Sequence, residues 1–195
     1  QRYAERKRAF LLESVEGGVQ WARYSFIGTD PFLMIRGKKG GIEIEMNGER
    51  SVLKGKPVEE LKALLRKYRS PQLKDMPPFT GGAIGFFGYD LLQYYEKLPA
   101  HALDDLGMDD IRFMFCDQVI VFDHVKQQIM LIGNVHTKPG DTDEDIRQKY
   151  DHVRRKLEAA AEQLQEDGPK ENVNSRSIPA DIELGNIQSN MTKEK

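Results

Sequence analysis

Gly41-Ile42-Glu43-Ile44-Glu45-Met46-Asn47-Gly48-Glu49-Arg50-Ser51-Val52-Leu53 is the stretch on which the fold turns. Ile42, Ile44 and Met46 alternate strictly with Glu43 and Glu45, the period of a strand with one buried and one wet face. Asn47-Gly48 supplies two residues that tolerate positive φ, as a type I′ turn demands, and Val52-Leu53 returns. A two-residue turn joins only antiparallel neighbours, so the sheet here is antiparallel.

On the N-terminal side, Trp21 to Ile27 is aromatic and β-prone and reads as a strand, and Phe32 to Ile35 begins another. Ahead of them lies the short apolar run Ala9 to Leu12, then Glu13-Ser14 and the turn-forming pair Gly17-Gly18. On the C-terminal side, Pro57 can open a helix without wasting an N–H, and Val58, Leu61, Leu64, Leu65 and Tyr68 share one helical face. Pro71 closes that helix and Pro77-Pro78 mark an extended loop. Gly81 to Tyr89, rich in glycine and aromatics, reads as a strand with a close backbone neighbour, and Leu91 to Leu98 as a short helix. Arg112 to Phe122 and Gln128 to Val135 read as a buried antiparallel pair around the turn Asp123 to Lys126. Asp141 or Thr142 caps a long helix with the stripe Ile146, Tyr150, Val153, Leu157, Ala160 and Leu164, and Gly168-Pro169 ends it. From there to about Asn190 the composition is that of a linker, and Thr192 to Lys195 looks like the first turn of a further helix. Strands, helix, strands, helix, with several hairpins, indicate an α+β fold.

The 195 residues can bury a sizeable core, since folding a chain of this size removes roughly 70% of its exposable surface. The composition, 39% hydrophobic and 31% charged, is that of a globular chain with a very polar portion. A net charge of −2 gives no basis for binding nucleic acid or an anionic membrane. No apolar run approaches the roughly 20 residues of a membrane span. Cys116 is the single cysteine, which forbids an internal disulfide and fits a reducing, cytoplasmic compartment. The chain opens with Gln1, so it is expected to be a piece of a longer protein, with an earlier leader left open.

Catalytic constellations are scarce. His101, His124, His136 and His152 lack metal-ligand spacing, and His124 falls in a hairpin turn. Cys116 lies mid-strand without a basic neighbour, the setting of an inert buried thiol. Asp104, Asp105, Asp109 and Asp110 lack the glycine turn and distal Glu of a calcium loop and read as a solvated loop. Gly81 to Gly88 has neither a Lys-Ser/Thr ending nor the G-x-G-x-x-G spacing, so its glycines are assigned to close strand packing rather than phosphate binding. Asn190-Met191-Thr192 matches a glycosylation sequon that a cytosolic protein would not use. Leu11-Leu12-Glu13-Ser14 could offer an amino acid an apolar wall, a carboxylate for its ammonium, and a hydroxyl. On physics alone that reading is weak, and a helix cap or turn is the favoured account of the segment.

Three segments, taken together, resemble anthranilate synthase component I. Ala9 to Ser14 with Trp21 to Gly28 resembles the opening motif of that family, Pro78 to Asp90 its second signature, and Ser189 to Lys195 the opening of its chorismate-binding domain. The resemblance implies antiparallel β-sheets packed as a sandwich with flanking helices, the sheets receiving strands from both halves of the whole enzyme. It implies a tryptophan-sensing N-terminal domain over 1–167, a linker over 168–189, and the truncated start of the chorismate-binding domain at 190–195. Carried over by position, the feedback site for L-tryptophan takes Leu12, Glu13 and Ser14, with Arg23, Tyr24 and Ser25 from the following strand. The full-length enzyme would convert chorismate and ammonia to anthranilate and pyruvate. It would use Mg2+ held beyond residue 195 and ammonia from a glutamine amidotransferase subunit, and no catalytic or metal-ligating residue is expected within this chain. Aminodeoxychorismate synthase component I shares the domain and is the alternative within the family. An amino-acid-binding module with no enzyme attached is the alternative outside it.

Overall fold

The computed structural model describes residues 8–13, 23–38, 40–99 and 104–165. Ser14, Gly17-Gly18, Trp21, His101, the 168–189 linker and the segment 189–195 lie outside the described residues.

The hairpin forms as its pattern requires. β4 (Gly41–Met46) and β5 (Glu49–Lys54) pair antiparallel with Met46 opposite Glu49. Asn47 and Gly48 take φ of 52° and 84°, the two positive values of a type I′ turn. β3 (Leu33–Lys38) lies against β4. β6 (Gly82–Phe87) and β7 (Ile111–Cys116) complete a five-stranded antiparallel sheet in the order β5-β4-β3-β7-β6. Gly85 lies where β6 and β7 come closest. A Cβ there would stand 2.0 Å from the Arg112 carbonyl oxygen, so only glycine permits the approach.

A second antiparallel sheet has the order β1-β2-β8-β9, built from β1 (Ala9–Glu13), β2 (Tyr24–Thr29), β8 (Gln118–Asp123) and β9 (Gln128–Gly133). The apolar run from Arg112 to Phe122 is thus two strands in two sheets, not one strand. The chain changes sheet at Asp117, whose carbonyl accepts from the Asn134 backbone N–H (2.8 Å) and its side-chain amide (3.2 Å). The same amide donates to the Thr80 carbonyl at 2.7 Å, tying the crossing to the start of β6. These bonds satisfy backbone groups that neither ladder could reach.

The two sheets meet through a core in which Phe10, Phe26, Val119, Val121 and Ile132 pack with Cys116, joined by Ile84 and Met114. α1 (Pro57–Lys67) covers the other face of the five-stranded sheet, with Leu61 set among Leu33, Ile35, Ile42, Ile111 and Phe115. Each such side chain contributes about 1.5–3 kcal/mol on leaving water. α2 (Asp143–Gln165) lies on the outer face of the four-stranded sheet, its Val153 and Leu157 over Gly133 of β9. The layers therefore run helix, sheet, sheet, helix, and the α+β sandwich expected from the resemblance is present. The helix expected from Leu91 to Leu98 is a 3₁₀ segment, Tyr89–Tyr94, pinned by Tyr94 Oη donating to Asp110 at 2.9 Å.

Candidate functional site

β1 is the edge strand of the four-stranded sheet, and its motif residues stay uncovered, Leu11 at 56% and Leu12 at 42% exposure. Register fixes what faces what. Leu12 stands opposite Phe26, and Glu13 opposite Ser25. Directly opposed residues share a face and successive residues alternate. Leu12 and Tyr24 accordingly belong to the inter-sheet face, and Glu13 and Ser25 to the outer face, with Leu11 and Ile27 two residues along. The expected site residues are thus brought to one end of one sheet but divided between its two sides. Ser14 lies outside the described residues.

Arg23 precedes β2 and directs its guanidinium to Asp123 at the end of β8, with Nη2 2.9 Å from one oxygen and Nε 3.2 and 3.3 Å from the two. It also lies 4.7 Å over the Tyr24 ring. Asp123 is 2% exposed, and one of its oxygens accepts from the Val125 and Lys126 N–H groups at 3.1 Å each. The Arg23 hydrogen bond, with the two amides, holds this carboxyl down at about pKa 2. Arg23 is thereby engaged in fixing the turn.

That turn carries His124. Its backbone N–H donates to the Arg23 carbonyl at 2.8 Å, and its imidazole Nε2 is 2.8 Å from Ser25 Oγ. Ser25 is 6% exposed, and a buried hydroxyl needs such a partner. Asp123 and His124 are the residues that sequence reasoning missed. The signal was an acid closing an apolar strand, but its partner Arg23 lies 100 positions away in the chain. A serine-nucleophile reading of Ser25 and His124 would need a carboxylate behind the imidazole. Asp123, the adjacent acid, is committed to Arg23 and the turn.

The outer face continues into an open cavity of about 470 Å³ beneath α2, with Ile27, Ile120, Leu131 and Leu157 in its lining and Asp117 and Lys156 among its polar groups. Elsewhere the quieter readings fit the geometry. Cys116 is 1% exposed, and burial pushes its thiol up to about 12. In the acidic loop, Asp104 pairs with Lys38 at 2.8 Å and caps the Gly107 N–H. Among the described residues no three His, Cys, Asp or Glu side chains converge as metal ligands, and no helix is long and apolar enough to cross a membrane.

An edge strand that presents an acid beside a hydroxyl, on an antiparallel sandwich flanked by helices, can be set against known proteins. A family described as chorismate binding enzyme matches residues 9–183, and the chain belongs to that family. Its relatives include anthranilate synthase component 1 of Acetivibrio thermocellus, 47% identical over 137 residues, covering 70% of this chain and 28% of the relative. Aminodeoxychorismate synthase component 1 of Bacillus subtilis is 35% identical over 137 residues, with the same coverage of 70% and 28%. Among solved structures, anthranilate synthase component I from Streptococcus pneumoniae TIGR4 superposes with a TM-score of 0.59 at 28% identity, over 80% of this chain and 32% of that one. The chain spans about a third or less of the length of these relatives.

Proposed function

We propose that this chain is the N-terminal regulatory domain of a cytoplasmic anthranilate synthase component I, where tryptophan exerts feedback inhibition. The observation that carries the reading is the placement of Glu13 directly opposite Ser25 at an uncovered sheet edge, within the segment most like the family's opening motif. There Glu13, on the outer face, accepts from a ligand ammonium beside the apolar Leu11 and Ile27, with Ser14 as a further hydroxyl, while Leu12 and Tyr24 supply apolar surface on the inter-sheet side of the same edge. The exposed Leu11 and Leu12 on edge strand β1, and Phe86 and Phe87 on edge strand β6, support a whole protein in which further chain covers these edges. The proposed domain covers 1–167, the linker 168–189, and residues 190–195 open the chorismate-binding domain.

The whole enzyme would convert chorismate and ammonia to anthranilate and pyruvate, with ammonia supplied by a glutamine amidotransferase subunit. Magnesium would be held by residues outside those described, which offer no ligand set of their own. Tryptophan inhibits only to the extent that it binds the inactive domain arrangement more tightly than the active one. The test is a tryptophan titration of full-length activity. Glu13→Ala and Ser14→Ala are expected to raise the inhibitory concentration at least about tenfold, the worth of one hydrogen bond to a charged group, with the uninhibited rate near normal. Unchanged inhibition in both would reduce the motif to a structural turn. Aminodeoxychorismate synthase component I is the second reading, favoured by the 35% identity to that enzyme in Bacillus subtilis. The aminated product formed from chorismate by the full-length protein separates the two.

A further inference from the structure

We infer that His124 forms the second half of a clamp for the zwitterionic end of an amino acid, Glu13 taking the ammonium and the imidazole taking the carboxylate, with Ser25 as the positioning residue between them. The inference rests on the proposed tryptophan site and adds a residue from another strand, which the family resemblance did not assign.

Three observations carry it. Glu13 and His124 flank one residue: Glu13 is the ladder partner of Ser25, and His124 is its side-chain partner at 2.8 Å. His124 is an exposed residue whereas Ser25 is buried, so the histidine is the one of the pair that a ligand can reach. Its place is fixed twice, by its own N–H on the Arg23 carbonyl and by the Arg23–Asp123–Lys126 turn behind it. With Nε2 occupied by Ser25, the other ring nitrogen is left for a ligand, and it has no partner among the described residues.

The proton chemistry follows from that occupancy. When Ser25 Oγ–H donates to Nε2, the neutral ring carries its proton on Nδ1. When the ring is charged, Nε2–H donates to Ser25 and Nδ1–H remains. Both states present an N–H donor suited to a carboxylate. Beside the clamp, on the same face, Leu11 and Ile27 form an apolar strip two residues away, roughly 7 Å along the strands. That strip suits the side chain of an apolar or aromatic amino acid whose charged end sits in the clamp.

The experiment measures binding of tryptophan, tryptamine and indole-3-propionate to the full-length protein by calorimetry, with thermal melts as the folding control. His124→Phe is expected to weaken tryptophan about tenfold and leave tryptamine, which has no carboxylate, unchanged. Glu13→Gln is expected to do the reverse, weakening tryptophan while sparing indole-3-propionate, which has no ammonium. Ser25→Ala should share part of the His124→Phe loss, and Ser25→Thr, which keeps the hydroxyl, should restore it. A wild-type tryptophan-to-tryptamine ratio in His124→Phe overturns the inference. If Glu13→Gln still weakens tryptophan in that case, the underlying site survives without His124. If neither substitution matters, both readings fall. Should the phenylalanine variant not fold, His124→Ala carries the same comparison.

Discussion

At the scale of single residues, the Arg23–Asp123 pair makes a pH prediction whose sign is fixed. The folded carboxyl sits at about 2 against an ordinary 3.8. Its contribution to stability is therefore complete above the ordinary value and is lost as pH falls through about 2. Arg23→Met should raise the Asp123 pKa and move the acid-unfolding midpoint upward. A midpoint equal to wild type would mean the pair stabilises nothing. Two glycines separate two costs. Gly48 has open space around it, so Gly48→Ala pays only for its φ of 84°, about 1–2 kcal/mol. Gly85→Ala meets a carbonyl oxygen at 2.0 Å and should cost about 3 kcal/mol or more. Urea midpoints rank the two, and the reverse order would show that β6 yields easily. Residues whose role depends on local context were legible in the sequence. Cys116 reads as buried from its strand alone, and Gly85 as a close-packing glycine from its aromatic neighbours. Asp123 and His124 were not, because their partners, Arg23 just ahead of β2 and Ser25 on it, belong to a strand that nothing in the sequence places beside β8.

At the scale of elements, periodicity carried the assignment wherever one face is buried and the other wet. The β4–β5 hairpin and α1 are of this kind. It failed at the β7–β8 run, where apolar residues crowd both sides of Asp117-Gln118 and a single polar pair does not distinguish a change of sheet from a continuing strand. In the structure the Asn134 bonds tie that break together. Asn134→Leu, close in size but without the amide, should therefore loosen the crossing and speed amide exchange at Asp117, Gln118 and Gly82 together. Unchanged exchange at all three would show the side chain is incidental there. α2 has no buried residue along its length and touches the sheet chiefly at β9. Its amides should exchange before those of β2 and β8, because a helix held by one shallow face opens without disturbing the sheets. Simultaneous exchange of α2 and the sheets would show that they open as one unit.

At the scale of the molecule, two sheets and two helices enclose a core while the proposed ligand edge stays open. The sandwich itself was not readable from pattern, which gives strands but not which sheet each joins. The family resemblance supplied the sandwich. The purified chain alone is expected to form no anthranilate from chorismate, magnesium and ammonia, as no catalytic constellation stands among the described residues. Product formation that persists after removal of any full-length enzyme would overturn this. The strand order β1-β2-β8-β9 has a consequence in time. β2 leaves the ribosome about 90 residues ahead of its partner β8, several seconds to nearly twenty at ordinary rates of synthesis. Until β8 emerges, β1 and β2 are at most a two-stranded ribbon, too small to persist alone in water. The nascent chain thus carries Phe10, Phe26 and Ile27 unsheltered through that interval, and a chaperone that acts on this protein has its window there.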